Sequence, residues 1–408
     1  MSIPAATALD AWPFDVFADV APGVDPPFVV EGPVGATIRT GGREVLNFAS
    51  IGFLGLQHRS EFHEHFARSA REHGLASGGS RMTQGLSGAH RDLESEISRV
   101  LGKDRALSFA SGLLANIGFV HAVTGAMDLG GEAVVNNRDS VLLLDRDAHW
   151  SLWKAAEGLA HGRRVHAFRH NDPQDLDRRL SELARAKVVV GFESVYSADG
   201  SVAPVGELLD VCERHGAVSF IDDANGFLLY GPEHRPHARE YRQMRERADF
   251  VMVSLSKSVG LEGGAVAGPE SAIRSFELLS GTSMFTAAVQ PPTASTAAEI
   301  IRRLQRDPGV VDGYLQRVTA LRARLAATRC PPAPSDSYII PIPVNDDDKA
   351  LRLRDRFLEC GVLVPLFLYP AVPRNKGALR VILHAEHTDQ QIEHFLGTLD
   401  ELCVEIGI

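Results

Sequence analysis

The segment FVMVSLSKSVG (250–260) places a lysine, Lys257, directly after an apolar run. Three other short runs, at 141–144, 188–192 and 217–221, are almost wholly apolar and are each followed by polar or glycine residues. Such runs are typical of the central strands of a parallel sheet, which are buried on both faces. Helical patterns separate them. The sequence therefore predicts an α/β fold with a mostly parallel, doubly wound sheet and right-handed crossovers.

The pattern changes near residue 295, where two long helical stretches are followed by strand-like segments at 338–343 and 379–383. We interpret 46–295 as a large domain and 296–408 as a smaller α+β domain. Residues 1–45 are rich in proline and glycine and predict an irregular N-terminal arm.

Composition and charge exclude several classes of protein. The chain has 408 residues, of which 44% are hydrophobic and 23% charged, so a disordered, collagen-like or coiled-coil protein is excluded. The net charge of −10 argues against a nucleic-acid partner. The sequence has neither a signal-peptide pattern nor an apolar stretch of about 18 residues, so we expect a cytoplasmic protein without a membrane span. The four cysteines are widely spaced, which predicts neither a disulfide framework nor a metal site.

Chemically reactive residues follow the predicted strands, at the edge where doubly wound sheets bind ligands. Lys257 follows one strand, and burial would lower its pKa and free the amine for a Schiff base. A lysine in an ordinary polar loop is an equally good interpretation of this segment alone. Asp222 ends another run, where a carboxylate could face the pyridine nitrogen of pyridoxal phosphate (PLP). The alternative is an aspartate that caps a turn, an interpretation that fits Asp223 better.

Two further segments are suggestive but weak on their own. SGLLAN (111–116) lies between a strand and a helix, where free N–H groups and the helix dipole favour a phosphate, although Ser-Gly is also a common N-cap. His149, in DRDAHWSLW (145–153), could stack on a cofactor ring, but a capping or core histidine is the more common case.

Taken together and in order, these segments resemble the α-oxoamine synthase family of fold-type I PLP enzymes, which includes 8-amino-7-oxononanoate synthase, 2-amino-3-ketobutyrate CoA ligase and serine palmitoyltransferase. The resemblance covers about residues 45–400 and is carried by GLASGGSRMTQGLSGAHRDLE (74–94), SGLLAN (111–116), DAHWSLW (147–153), HND (170–172), ESVYSADGSVAPV (193–205), IDDANG (221–226), SLSK (254–257) and LRVILHAEHT (379–388). HWSLW and FRHND look most like the synthases of α-hydroxyketone-type autoinducers.

The resemblance implies a role for each matching residue. Lys257 would be the Schiff-base lysine and the base at the substrate Cα, Asp222 the partner of the pyridinium nitrogen, and His149 the stacking ring. The remaining cofactor contacts would be Ser111, Gly112, Leu113, Glu193, Ser197, Asn225, Ser254 and, at the partner subunit's phosphate, Thr286. Arg380 would receive the amino-acid carboxylate, a task that suits its bidentate fork.

Two positions depart from the family pattern. Asn225 stands where the family has a histidine that contacts the phenolic oxygen of the cofactor, and Ile51 stands where it has an active-site asparagine. An asparagine can still donate a neutral hydrogen bond, so we expect cofactor binding to persist with altered tuning. The loss of a polar group at Ile51 predicts an unusual amino or acyl substrate and a place in secondary metabolism.

The expected function is a PLP-dependent acyltransferase that condenses an amino acid with an acyl thioester, on CoA or an acyl carrier protein, with loss of carbon dioxide. The resemblance also implies a homodimer with GGSRMTQG (78–85) near the interface. One alternative is another Cα-carbanion reaction, such as aldol-type addition, on the same fold. A second is a catalytically silent partner subunit, against which the retained Lys257 argues. A dinucleotide-binding dehydrogenase is disfavoured, because no G-x-G-x-x-G follows a first strand.

Overall fold

The computed structural model describes residues 29–408 apart from 129, 131–133, 185, 336, 370, 371 and 373. Its strands are β1 (Thr37–Thr40), β2 (Arg43–Asn47), β3 (Arg105–Phe109), β4 (Ala126–Asp128), β5 (Val134–Asn136), β6 (Val141–Asp145), β7 (Val165–Phe168), β8 (Val188–Glu193), β9 (Val218–Asp222), β10 (Phe250–Ser254), β11 (Gly264–Gly268), β12 (Ile339–Pro343), β13 (Val362–Leu363), β14 (Leu366–Phe367) and β15 (Ala378–Ile382).

The helices are α1 (Ser60–His73), α2 (Gly88–Leu101), α3 (Gly112–Thr124), α4 (Trp150–Ala155), α5 (Pro173–Glu182), α6 (Val205–His215), α7 (Ala238–Arg247), α8 (Glu270–Leu279), α9 (Gly281–Met284), α10 (Pro291–Arg306), α11 (Gly309–Leu325), α12 (Asp347–Glu359) and α13 (Asp389–Ile406). A short 3-10 helix covers Leu56–His58.

A seven-stranded sheet in the order β3-β11-β10-β9-β8-β6-β7 lies within the predicted large domain. β11 runs antiparallel to both of its neighbours, and the other pairings are parallel. The four apolar runs in the sequence are β6, β8, β9 and β10, as predicted. Alternate residues of these strands enter two separate hydrophobic cores. Leu142 and Leu144 pack in the core that contains Phe119 of α3, and Leu143 and Val190 belong to the other core. The mostly parallel, doubly wound α/β architecture is therefore confirmed.

The C-terminal part contains the antiparallel sheet β12-β15-β14, packed with α12 and α13. The predicted strands at 338–343 and 379–383 correspond to β12 and β15. The N-terminal stretch, expected to be irregular, instead contributes β1 and β2, and β2 pairs in parallel with β13. Residues 1–28 of the predicted arm lie outside the described residues, and the boundaries at 45 and 295 remain predictions.

The cysteines are the second point of difference. Cys330 and Cys403 form a disulfide across 73 residues, whereas Cys212 and Cys360 are free. The expectation of no disulfide was wrong for this pair, because only the packing of α13 against the segment after α11 brings the two side chains together. Among the described helices, none combines the length and apolarity that a membrane crossing needs.

Candidate active site

The carboxyl edge of the large sheet brings four predicted residues together. Glu193 and Asp222 end β8 and β9 and are direct neighbours in the strand register. Lys257 lies in the turn immediately after β10, the next strand. His149 follows β6 and is the N-cap residue of α4. Because parallel strands end at one edge, a ligand in this cleft would face all four side chains.

Lys257 is half-buried among other charged groups. Desolvation is the largest influence and lowers the pKa of its amine, and the positive charge of Arg380 acts in the same direction. The carboxylates of Glu193 and Asp222 oppose that shift. A lowered pKa leaves more of the amine unprotonated near neutral pH, which favours attack on a carbonyl carbon.

The two carboxylates have different surroundings. Burial raises the pKa of both, and the charge of Asp222 raises that of Glu193 further. Asp222 accepts hydrogen bonds from the Asn116 amide at 2.9 Å and from the Ala224 N–H at 3.1 Å, which favour its ionised form. Glu193 is buried, and its Oε1 has no hydrogen-bond partner within the described residues. Asp223 instead accepts the Ser194 hydroxyl, as expected of a structural aspartate.

The start of α3 lies beside the end of β10. Ser111 caps the helix by accepting the Leu114 N–H at 3.2 Å, so the N–H groups of Gly112 and Leu113 remain available at the positive end of the helix dipole. Leu113 is exposed. A Cβ placed on Gly112 would lie 3.5 Å from Ser254 Oγ, so this helix begins directly beside the serine that ends β10. Amides and a hydroxyl grouped in this way suit a phosphate.

His149 is held by residues that the sequence interpretation did not single out. Its Nδ1 lies 2.7 Å from Ser151 Oγ and accepts the Ser151 N–H at 3.2 Å. Asn116 donates to the same Ser151 hydroxyl at 2.7 Å. Although the ring contacts solvent, desolvation by the cleft lowers its pKa, with Lys257 acting in the same direction and Asp222 against it. Asn116 could have been found from its spacing, because it lies four residues after Gly112 on the same helix face.

Arg380 projects from β15 toward the same cleft. Its guanidinium lies 4.5 Å from the Phe367 ring centroid and donates to the Ser197 carbonyl at 3.1 Å. Its Nε has no hydrogen-bond partner among the described residues. Arg380 also perturbs the pKa of Lys257, so the two cations are close enough to interact. A free donor beside an amine is the arrangement that an amino-acid carboxylate would need.

The two departures from the family pattern have different environments. Asn225 is buried, donates to the Val195 carbonyl at 3.1 Å and accepts the Tyr338 hydroxyl at 3.0 Å. Ile51 is partly exposed and lines a cavity of about 460 Å³ that also borders Ser256. The sequence gives no sign of the Tyr338 contact, because Tyr338 lies 113 residues after Asn225 in the chain.

Thr286 lies in the loop between α9 and α10, next to a bridge between Ser80 and Ala287. The structure describes one chain, so its predicted contact with a partner's phosphate remains a prediction. Within the described residues, no group of three or more histidine, cysteine, aspartate or glutamate side chains could hold a metal ion.

The residues present fit PLP. Glu193 Oε1 and Arg380 Nε are buried polar atoms without a hydrogen-bond partner among the described residues, and a bound ligand could supply one for each. The α3 N-terminus with Ser254 suits the phosphate, Asp222 the ring nitrogen and Lys257 the aldehyde. The described side chains therefore supply a complementary group for each end of the cofactor.

Comparison with known proteins shows the family of the chain. Residues 43–399 match the family model "Aminotransferase class I and II". Over 377 residues the chain is 33% identical to 8-amino-7-oxononanoate synthase of Dechloromonas aromatica, covering 92% of this chain and 94% of that protein. Serine palmitoyltransferase of Caulobacter vibrioides is 30% identical over 369 residues, which cover 90% of this chain and 88% of the relative.

Solved structures give the same result. Serine palmitoyltransferase of Sphingomonas wittichii superposes with a TM-score of 0.85 at 28% identity, over 98% of this chain and 99% of that one. The serine palmitoyltransferase of S. paucimobilis, solved with a bound PLP-myriocin aldimine, has a TM-score of 0.86 at 25% identity, covering 98% and 100% of the two chains.

Proposed function

Because this chain belongs to the aminotransferase class I and II family and, within it, to the α-oxoamine synthases, we propose that it is a PLP-dependent acyltransferase. Its reaction condenses an amino acid with an acyl thioester and, with loss of carbon dioxide, yields an α-aminoketone. The observation that carries the proposal is the convergence of Lys257, Asp222 and Arg380 on one cleft, close enough to influence one another electrostatically.

Each residue has a task in this reaction. When bound, PLP supplies a ring that withdraws electrons and stabilises negative charge at the amino-acid Cα. Asp222 and His149 would hold the ring, and the start of α3 with Ser254 would hold the phosphate. Arg380 binds the substrate carboxylate and orients the Cα. Lys257, with its lowered pKa, removes the Cα proton.

The acyl donor and the assembly form the finer part of the proposal. The donor is an acyl thioester of CoA or of an acyl carrier protein. The cavity beside Ile51, which Ser256 also lines, is the space that an unusual substrate would use. We also infer a homodimer. Phe285 and Met82 are 79% and 39% exposed, and their segments are joined by the Ser80–Ala287 bridge, so an apolar surface flanks Thr286. A cytoplasmic location remains a prediction.

Cofactor attachment gives the first test. The purified protein should turn yellow with PLP, and borohydride reduction followed by peptide mapping should place the cofactor on Lys257. Lys257→Ala should abolish both the covalent label and thiol release, with reversible PLP binding retained by the other contacts. A colourless protein with an unlabelled Lys257 would overturn the proposal.

Substrate assays give the second test. Candidate amino acids paired with acyl-CoA or acyl-carrier substrates should release free thiol. Deuterium exchange at Cα without thiol release from any pair would instead indicate another Cα-carbanion reaction. PLP binding with neither exchange nor thiol release would indicate a silent partner subunit.

A further inference from the structure

A buried asparagine links the two residues expected to hold the cofactor ring. The Asn116 side chain lies in the interior of α3 and is fully buried, and Ser151 is 2% exposed. Asn116 Nδ2 donates to Asp222 Oδ2 at 2.9 Å and to Ser151 Oγ at 2.7 Å. Ser151 Oγ in turn lies 2.7 Å from His149 Nδ1. Four side chains thus form one continuous chain of hydrogen bonds.

The direction of each hydrogen bond follows from the available protons. The backbone N–H of Ser151 donates to His149 Nδ1, so that nitrogen carries a lone pair. The single hydroxyl proton of Ser151 therefore also goes to Nδ1, since Ser151 Oγ already accepts from Asn116. The proton of a neutral His149 ring then resides on Nε2.

At the other end, the amide orientation is equally determined. An ionised Asp222 can only accept, so the NH₂ group of Asn116 must face it, and each of the two amide hydrogens is used once. Asp222 Oδ1 accepts the Ala224 N–H at 3.1 Å, which fixes the second carboxylate oxygen. Both donors favour the charged form that a protonated ring nitrogen needs.

We propose that Asn116 and Ser151 are positioning residues, which orient the Asp222 carboxylate at one end of this network and fix the Nε2–H tautomer of His149 at the other. The inference rests on the proposed function, in which Asp222 and His149 hold PLP. Gly112 and Asn116 lie four residues apart on α3, so one helix face positions both the phosphate and the ring contacts. Neither residue is itself expected to react.

The test measures PLP affinity and the pH titration of its visible absorbance in the full-length protein loaded with cofactor. Asn116→Leu keeps the approximate shape and removes both donors, so PLP should bind about tenfold more weakly, with a shifted spectral titration. Ser151→Ala should give a smaller loss, of about threefold. The control is Ser140→Ala, which removes another buried hydroxyl, bonded to the Val123 carbonyl, and should leave both readouts unchanged.

Two results would overturn the network role. One is that both variants, Asn116→Leu and Ser151→Ala, keep the PLP affinity and the spectra of the wild-type protein. Should Asn116→Leu fail to fold, Ser151→Ala and Asn116→Ala, which removes the amide without adding bulk or charge, decide the question. The other is an ¹⁵N NMR spectrum of the histidine-labelled protein without cofactor that shows the His149 proton on Nδ1. The His149 signals are identified by their absence in His149→Gln. This second measurement needs no PLP, so failure of the network and failure of the proposed function can be told apart.

Discussion

Asn225 and Tyr338 form a pair at a position where the family resemblance led us to expect a histidine. The Val195 carbonyl can only accept, so it fixes the Asn225 amide with Nδ2 toward Val195 and Oδ1 toward the Tyr338 hydroxyl. One N–H of Nδ2 then remains for a ligand. Tyr338 precedes β12, which pairs with the strand that carries Arg380. This hydrogen bond therefore also joins the predicted small domain to the proposed cofactor site.

Tyr338→Phe should therefore do more than remove a buried hydroxyl. The Asn225 carbonyl would lose its donor, which should lower the free energy of unfolding by about 1–3 kcal/mol. The Asn225 amide would then be held by the Val195 carbonyl alone. Because it is held less firmly, PLP affinity should fall by about threefold. Denaturant unfolding and fluorescence titration with PLP measure the two effects.

The matched control is Tyr314→Phe. Tyr314 is also buried, and its hydroxyl donates to the Leu383 carbonyl at 3.0 Å rather than to Asn225. We expect a similar loss of stability with unchanged PLP affinity. An equal change in affinity in both variants would contradict a specific role for Tyr338.

The contact between α3 and β11 sets the shape of the proposed phosphate site. A Cβ on Gly264 would lie 2.7 Å from Gly112 Cα and 2.8 Å from Gly112 N, closer than a Cβ can approach backbone atoms. The strand and the first residue of α3 can therefore adjoin only because Gly264 lacks a side chain. Its neighbours Ala265 and Val266 are both buried, and they enter the two different cores of the protein.

Gly264→Ala should push the start of α3 away from the sheet. The expected result is a loss of about 1–3 kcal/mol in the free energy of unfolding, as for other overpacked cores, and a clear loss of PLP affinity. Gly313→Ala is the control, because Gly313 lies within α11 with no atom within 4 Å of its added Cβ. There, stability should stay level or rise by up to about 1 kcal/mol, because alanine is the better helix former. Unchanged PLP affinity in Gly264→Ala would contradict this account of the phosphate site.

The elements that could be predicted from the sequence are those whose signal is local. β8 is buried at every position, so its continuous apolar run identifies it, and the polar residues that follow such strands mark the ligand edge. β1 and β2 could not be predicted, because they are ordered by pairing with β13, more than three hundred residues along the chain. The Asn116 network and the Cys330–Cys403 pair likewise depend on contacts between distant segments.

Two buried histidines connect the stability of the molecule to pH. His384 and His387 are 0% and 2% exposed. Nδ1 of His384 accepts the Glu386 N–H, and Nδ1 of His387 accepts the His384 N–H. Both rings must therefore keep an unprotonated Nδ1. Burial lowers the pKa of His384 to about 4 and that of His387 to about 3, with the charge of a neighbouring histidine acting in the same direction. In the unfolded chain both would titrate near the ordinary value of 6.5.

The sign of the pH dependence follows. Between about pH 6.5 and pH 4 the unfolded chain binds protons that the native rings do not, so the free energy of unfolding falls as pH falls. Each histidine should lower the free energy of unfolding by about 2 kcal/mol at pH 5 relative to neutral pH. His387→Asn keeps an acceptor for the His384 N–H, but it loses the stacking on Phe48, which lowers stability at every pH. The decrease in the free energy of unfolding between pH 7.5 and pH 5 should nevertheless become smaller by about 2 kcal/mol. The control is His394→Asn at an exposed position, which should leave the decrease between pH 7.5 and pH 5 unchanged. If His387→Asn also left that decrease unchanged, the His387 ring would have to be protonated in the native protein.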